Sequence, residues 1–494
     1  MKKSLSQAIA LATLFGAAAS AHAVNVNPDG LGNALLYSLY TTEAGKQTAI
    51  NVTNTTGDYK AVKVRFLEGL NSKEVLDFNL YLSPYDQWGA TVVQNPETGG
   101  AMLQPIADTS CTAPDMNSAF VDSEGSSIRD FKDYAYKAYP DATPNLLGDG
   151  GRQDITRTRV GHVEIIEMGV VDPALGAATI EHNENGVPAN CDALRARWAE
   201  PNGVWFSNPL DSIGGATGGL YGTASIIDPL TANVITYDAV AIDNFYGELP
   251  LPYHTATGSL EPNLNDADKL ATFPDGQEIE FDRGVDAVSA VLMKSTIQND
   301  YLVGEALKGE TNWVVTFPTK NLYVNQPVAV APFTSTWGGL TGAPEELTYN
   351  FWDNEEREAI ADPVDLPDLM PSPLPPNWVQ EIPGTFLRWE TNIIKFDGKD
   401  VLASEYENLN LPITELSAAN RDSGFNQGWV QFDFSGHEMY GFGGEGRVEG
   451  LPVIGFSAIT VQNGYTGQAG AIANFSGQYQ HKATTNVDQD ATAP

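Results

Sequence analysis

Hydrophobic and polar residues alternate with a period of two through "INVTNTTGDYKAVKVRFLEGLNSKEVLDFNLYLSP", Ile50 to Pro84. Ile50 and Val52 share one face, then Val62, Val64 and Phe66, then Leu76, Phe78, Leu80 and Leu82, with Lys63, Arg65, Asp77 and Asn79 between them. Such alternation predicts half-buried strands. "NTTGD" and "EGLNSKE" separate them with turn-forming residues, and Pro84, which lacks a ladder donor, ends the last. Three such strands in a row predict an immunoglobulin-like meander in one layer of an antiparallel β-sandwich. "ALLYSLYTT" supplies a preceding strand.

The same pattern recurs in "GHVEIIEMGVV" (161–171), "GLYGTASIID" (219–228), "ANVITYDAVAI" (232–242), "TNWVVTFPT" (311–319), "GWVQFDFS" (428–435) and "LPVIGFSAITV" (451–461). Helical spacing is rarer. It predicts short helices in "NCDALRARWA" around Cys191, in "DAVSAVLMKSTI" (286–297) with Asp286 as N-cap, and in "RDFKDYAYKAY" (129–139). The expected fold is mainly β: an antiparallel β-sandwich with long loops and a few short helical insertions. Residues 24–361 carry the sandwich, and the Pro-rich stretch 362–384 is a loop or linker. Residues 385–494 form a β segment that completes the same core.

The first 23 residues read differently. Lys2 and Lys3 precede an apolar stretch from Ala8 to Ala19, and small residues at Ala21 and Ala23 suit cleavage after Ala23. This is the pattern of a signal peptide, and no apolar run is long enough for a transmembrane segment. The expected location is outside the cytoplasm of a Gram-negative bacterium: secreted, at the cell surface, or in the periplasm.

Charge narrows the partners. The formal net charge is −36, and −38 once Lys2 and Lys3 are removed. That excess repels nucleic acid and anionic lipid, which bind through clustered Lys and Arg. With 42% hydrophobic and 18% charged residues, the chain still fills a large core rather than behaving as a disordered polyanion. Cys111 and Cys191 are the only cysteines, and in an oxidising compartment they are expected to pair, a bridge worth about 4 kcal/mol in the chain-entropy model.

"KAVKVRFLEGLNSKEVLDFNLYLSP", "VDAVSAVLMKSTIQNDYLV", "NWVVTFPTKN" and "GLPVIGFSAITV" together resemble a group of secreted and cell-surface proteobacterial proteins. The resemblance implies an exported, β-rich protein and transfers no catalytic residue.

Catalytic motifs are missing. "GFSAI" (455–459) fails the last position of a G-x-S-x-G elbow, and "HEMYG" (437–441) has Gly441 where a metalloprotease helix needs its second His. His162 and Glu164 share a strand face, where a solvated pair is commoner than a metal site. Calcium is the cofactor to weigh: "NLNDAD" gathers Asn263, Asn265, Asp266 and Asp268, and "GDGGRQD" (148–154) has two aspartates, though neither has EF-hand spacing and acidic turns often only bond locally. Trp205, Phe206 and Trp337 lie near glycines, where a sugar stacks or a core packs. The expected function is therefore non-enzymatic: a secreted structural, cell-surface or extracellular-matrix protein that self-assembles into filaments by β-strand addition. The donor would be the lead Val24–Asn33 or the segment 469–480. The alternatives are a protein binding extracellular glycans or another ligand, and a secreted hydrolase with an unfamiliar site.

Overall fold

The computed structural model describes residues 23–105, 108–118, 127–142, 145–247, 251–304, 308–356, 358–359, 385–402, 409–413, 426–463 and 473–493. Residues 1–22 of the expected signal peptide 1–23 and the Pro-rich stretch 362–384 lie outside the described residues. The fold is mainly β, built of antiparallel sheets with a few short helices. Among the described residues no helix is long and apolar enough to cross a membrane.

The N-terminal half folds as two packed sheets. One has Ala34–Thr41, Val160–Val171, Tyr59–Glu68 and Glu74–Leu82 side by side, with short pieces at its edges. The other orders Asn233–Asp238, Leu220–Asp228, Gln47–Asn54, Gln87–Gln94 and Ala101–Pro105. Val62, Val64, Phe66, Phe78, Leu80 and Leu82 from the first meet Ile50, Val52, Trp88, Val92 and Ile226 from the second. The predicted inward faces are the observed ones.

Layer membership differs from the expected meander. Gln47–Asn54 pairs with Leu220–Asp228 and Gln87–Gln94, so Ile50 and Val52 face Val62–Phe66 across the core instead of lying beside them. The "NTTGD" turn carries the chain from one sheet to the other. The back of the first sheet also differs, because its polar residues are covered. Lys60, Lys63, Asn79 and Glu167 are fully buried. The segment around Thr255 lies over two of them: Lys63 Nζ donates to Ala256 O at 2.9 Å and Asn79 Nδ2 to Thr255 O at 2.8 Å. Buried polar groups need partners, and these charges have them, in Lys63–Asp77 at 3.1 Å and Arg65 with Glu74 and Glu164 at 2.8 and 3.1 Å.

A second sandwich follows. One sheet orders Asn410–Leu411, Thr391–Phe396, Gly309–Thr316, Ile454–Asn463 and Ala473–Gln480; the other orders Glu358–Ala359, Thr348–Asp353, Gln427–Asp433, Thr296–Leu302 and Lys482–Thr484. Trp313, Val315, Ile394 and Phe396 pack on Ile297, Tyr301, Phe351, Val430 and Phe432. Val314, between Trp313 and Val315, points the other way and joins Ile393, Phe456 and Ala458 in the first core. One sheet thus contributes to two cores.

The helix Gly284–Leu292 is buried along its whole length and packs on the back of the first sheet at Ala34, Leu36 and Ile166. Asp286 lies within it and not at its cap; Arg283 is the N-cap, and the Asp286 carboxylate takes bonds from Arg283 and from Tyr323. The chain leaves the helix at Met293, and Thr296–Leu302 is a strand. No helix forms at 129–139. Phe131 N donates to Ala101 O and Lys132 N to Val75 O, so these amides serve neighbouring segments instead of a helical ladder.

Cys111 and Cys191 are bonded, with Cα atoms 5.2 Å apart. The bridge ties the edge piece Cys111–Ala113 to the helix Cys191–Ala196, beside a small apolar cluster of Tyr81, Leu194 and Trp205. The described residues of both segments considered as strand donors, 24–33 and 473–480, include strands paired within the chain. Val24 N donates to Leu270 O and accepts through its carbonyl from Thr272 N, and Asn25–Val26 pairs with Ile242 and Asp243. Ala473–Gln480 pairs along its length with Ile454–Asn463.

Candidate ligand-binding face

Strand alternation decides which side chains the second sandwich shows to solvent. On Thr296–Leu302, Thr348–Asp353 and Gln427–Asp433 the residues Ile297, Tyr301, Phe351, Val430 and Phe432 turn inward, so their neighbours turn out. Register then sets these outward residues in rows. Gln298 lies opposite Gln431, which lies opposite Asn350, and Lys482 flanks Gln298 on the other side. In the next row Asp300 lies opposite Trp429, which lies opposite Trp352.

The two indoles stack, with centroids 3.9 Å apart and planes 14° apart. Gln431 Nε2 donates to Gln298 Oε1 at 3.1 Å, which fixes the amide row. Beside them a cavity of about 560 Å³ is lined by Gln298, Asp300, Trp429, Gln478, Tyr479 and Lys482, among others. Trp429 is 37% exposed and Tyr479 51%. Asn299 pins the rim by donating from Nδ2 to Tyr479 O at 2.8 Å. A second cavity of about 770 Å³ shares Gln478 and Gln480 and runs on between the two sandwiches, past Asn27, Asp29, Tyr221 and Asp238.

This is a surface that offers flat apolar rings together with amides, a carboxylate and an ammonium. Aromatic faces take the C–H side of a ring ligand, while the amides donate and accept along its hydroxyl edge. Among the described residues that line the 560 Å³ cavity, Asp300 is the one carboxylate.

The residues singled out in the sequence lie elsewhere. Asn263 and Asp266 form a reciprocal cap on a single turn: Asn263 Oδ1 accepts from Asn265 N, and Asp266 Oδ2 accepts from Asn263 N. Asp266 also takes the Tyr253 hydroxyl, and Asp268 accepts from Leu270 N. In the other acidic loop Asp149 is held by Arg157 and Asp154 by Arg152. Among the described residues no three His, Cys, Asp or Glu side chains gather as a metal site.

Trp205 is fully buried, stacked on Tyr81 and under Arg197. Trp337 donates to Asp149 O and packs against Trp389, and Phe206 is exposed without joining the face described above. His437 is buried and its Nδ1 lies 2.9 Å from Pro332 O. His162 and Glu164 do share a face, but both are buried, Glu164 against Arg65 and His162 Nε2 3.5 Å from Ser72 Oγ. Ser72 is itself buried.

Trp352 and Trp429 were not among the sequence candidates, yet a signal existed. In "TYNFWD" and "QGWVQFD" each tryptophan occupies the polar phase of its strand, where an exposed ring needs a reason. Compared with known proteins, the chain matches no family model, no curated protein and no solved structure. What the coordinates define is a class: a double antiparallel β-sandwich with an open aromatic–amide face.

Proposed function

We propose that this protein binds extracellular carbohydrate through the outer face of its second sandwich. The observation that carries the reading is the stacked Trp352–Trp429 pair, set beside the Gln298–Gln431 amide pair, with Trp429 lining a cavity of about 560 Å³. A sugar ring laid on Trp429 would have Asp300, Gln298 and Lys482 within its hydroxyl plane. Neutral or amino sugars suit the strongly acidic chain better than polyanionic ones. Filament growth by strand addition ranks behind this reading, because each donor strand would first have to leave its pairing within the chain.

The test is a glycan array with the mature chain and Trp429→Ala. Binding of a glycan class by the wild type, lost at least ten-fold in the variant while its unfolding midpoint stays near that of the wild type, supports the assignment. Equal binding by both proteins, or no glycan bound by the wild type, defeats it.

A further inference from the structure

Lys60, Glu167 and Asn33 meet on the back of the first sheet. Lys60 lies near the start of Tyr59–Glu68, Asn33 just before Ala34–Thr41, and Val160–Val171 runs between these two strands carrying Glu167. Lys60 and Glu167 are fully buried and Asn33 is 6% exposed. The Glu167 carboxylate bridges the other two: Oε1 accepts from Lys60 Nζ at 2.7 Å and Oε2 from Asn33 Nδ2 at 3.2 Å. Asn33 Oδ1 accepts from Phe245 N at 3.3 Å, and Lys60 Nζ is also held by Thr217 Oγ1 at 2.8 Å. Ala34, Ile166, Ile242 and Phe245 form an apolar cluster alongside.

We propose that this triad joins Lys60 to Asn33 through a side-chain amide bond. An amine, a carboxamide and a carboxylate between them, all withdrawn from water, are the parts such a reaction needs. Enclosure holds the groups together and excludes competing hydrolysis. Glu167 takes a proton from the Lys60 ammonium across their 2.7 Å contact. The freed Nζ lone pair attacks Asn33 Cγ, and the charge developing on Oδ1 faces the Phe245 N–H. Glu167 then hands its proton to Nδ2, the Cγ–Nδ2 bond breaks, and the departing ammonia takes the surplus proton from Nζ and leaves as ammonium. One ammonium and one carboxamide become one amide and one ammonium. No oxidant or reductant enters, and water is neither consumed nor released. The product would staple strands on either side of the central one, in a part of the sheet the Cys111–Cys191 bridge does not reach.

The experiment is intact mass spectrometry of the mature, disulfide-bonded chain, with peptide mapping. The expected result is a mass lower than that of the disulfide-bonded sequence by about 17 Da, the mass of ammonia, and a branched peptide linking the Asn33 and Lys60 segments. Glu167→Gln, which cannot shuttle the proton, restores the full mass. A wild-type chain at full mass with separate peptides identifies a plain buried ion pair and overturns the proposal. So does a loss of about 18 Da with Lys60 joined to Glu167, or a bond that persists in Glu167→Gln.

Discussion

Tyr237 stacks on Phe456, with ring centroids 4.8 Å apart and planes 27° apart. Tyr237 belongs to an edge strand of the first sandwich and Phe456 to an interior strand of the second. The tyrosine hydroxyl donates to Leu39 O, which fixes its ring, and Phe456 is 1% exposed. Val314, Ile393 and Ala458 surround the same contact from the second sandwich, and Thr316 Oγ1 donates to Ser38 O at 2.6 Å. The seam is packed like an interior, so the two sandwiches should behave as one cooperative body.

Truncating Phe456 tests this. Phe456→Ala removes a buried ring and leaves a cavity that a close-packed seam fills poorly, at a cost of ~3–5 kcal/mol. Urea denaturation followed by tryptophan fluorescence and by far-UV circular dichroism should show one transition at a lower midpoint by both probes. Two separated transitions, already present in the wild type, would mean that the sandwiches unfold independently and the seam couples little.

Strand positions were legible in the sequence because an inward face must be apolar at every second residue, and Val62–Phe66 and Phe78–Leu82 obey that rule. Their layer was not legible. Nothing in Ile50–Asn54 distinguishes pairing beside Tyr59–Glu68 from facing it across a core, since both bury the same side chains. The second face was hidden for a related reason. Lys63 and Asn79 read as solvated until a distant segment at 254–258 is seen to cover them. A helix was expected at 129–139 on local spacing, but Phe131 and Lys132 give their amides to Ala101 and Val75, partners no local pattern reveals. Trp352 and Trp429 become a site only through register between strands far apart in sequence.

Arg157 offers a second test, of the buried ion network. It is fully buried, bonded through Nε and Nη2 to Glu68 at 2.8 Å each, and through Nη1 and Nη2 to Asp149 at 2.9 and 2.6 Å. Its guanidinium also lies over the Tyr136 ring, 4.3 Å from the centroid. Arg157→Met would leave the buried Glu68 carboxylate without its counter-cation, held only by the Leu70, Asn71 and Lys73 amides, and should be strongly destabilising, by up to ~3–5 kcal/mol. Adding Glu68→Gln removes the stranded charge, so the double variant should recover part of that loss in equilibrium unfolding. If the double variant is less stable than Arg157→Met by the full cost of a second independent lesion, charge burial is not the cause.

Three groups on the back of the first sheet contribute to the dependence of stability on pH. Burial, helped by the nearby Arg65 charge, lowers His162 to about 3, and burial lowers His254 to about 4. The His254 ring is held neutral between Pro209 O at Nδ1, 2.7 Å away, and the Tyr81 hydroxyl at Nε2, 3.0 Å away. Burial raises Glu164 to about 7, against the opposing pull of Arg65. The signs oppose. A lowered histidine contributes stability that is complete above its unfolded value of about 6.5 and is lost as the pH falls through the folded value. The raised carboxyl contributes stability that is complete below its unfolded value near 4.5 and is lost as the pH rises through about 7. Around pH 5.5 unfolding takes up nearly two protons at the histidines and releases almost one at Glu164, so this trio weakens the fold by ~1.4 kcal/mol per unit of acidification. Glu164→Gln deletes the opposing term and should steepen the measured slope by ~1.2 kcal/mol per pH unit relative to the wild type between pH 5 and 6. His254→Gln should bring it close to zero for the remaining pair. Urea midpoints measured across that interval check both signs at once, and a Glu164→Gln profile parallel to the wild type would show that the carboxyl does not hold its proton in the folded protein.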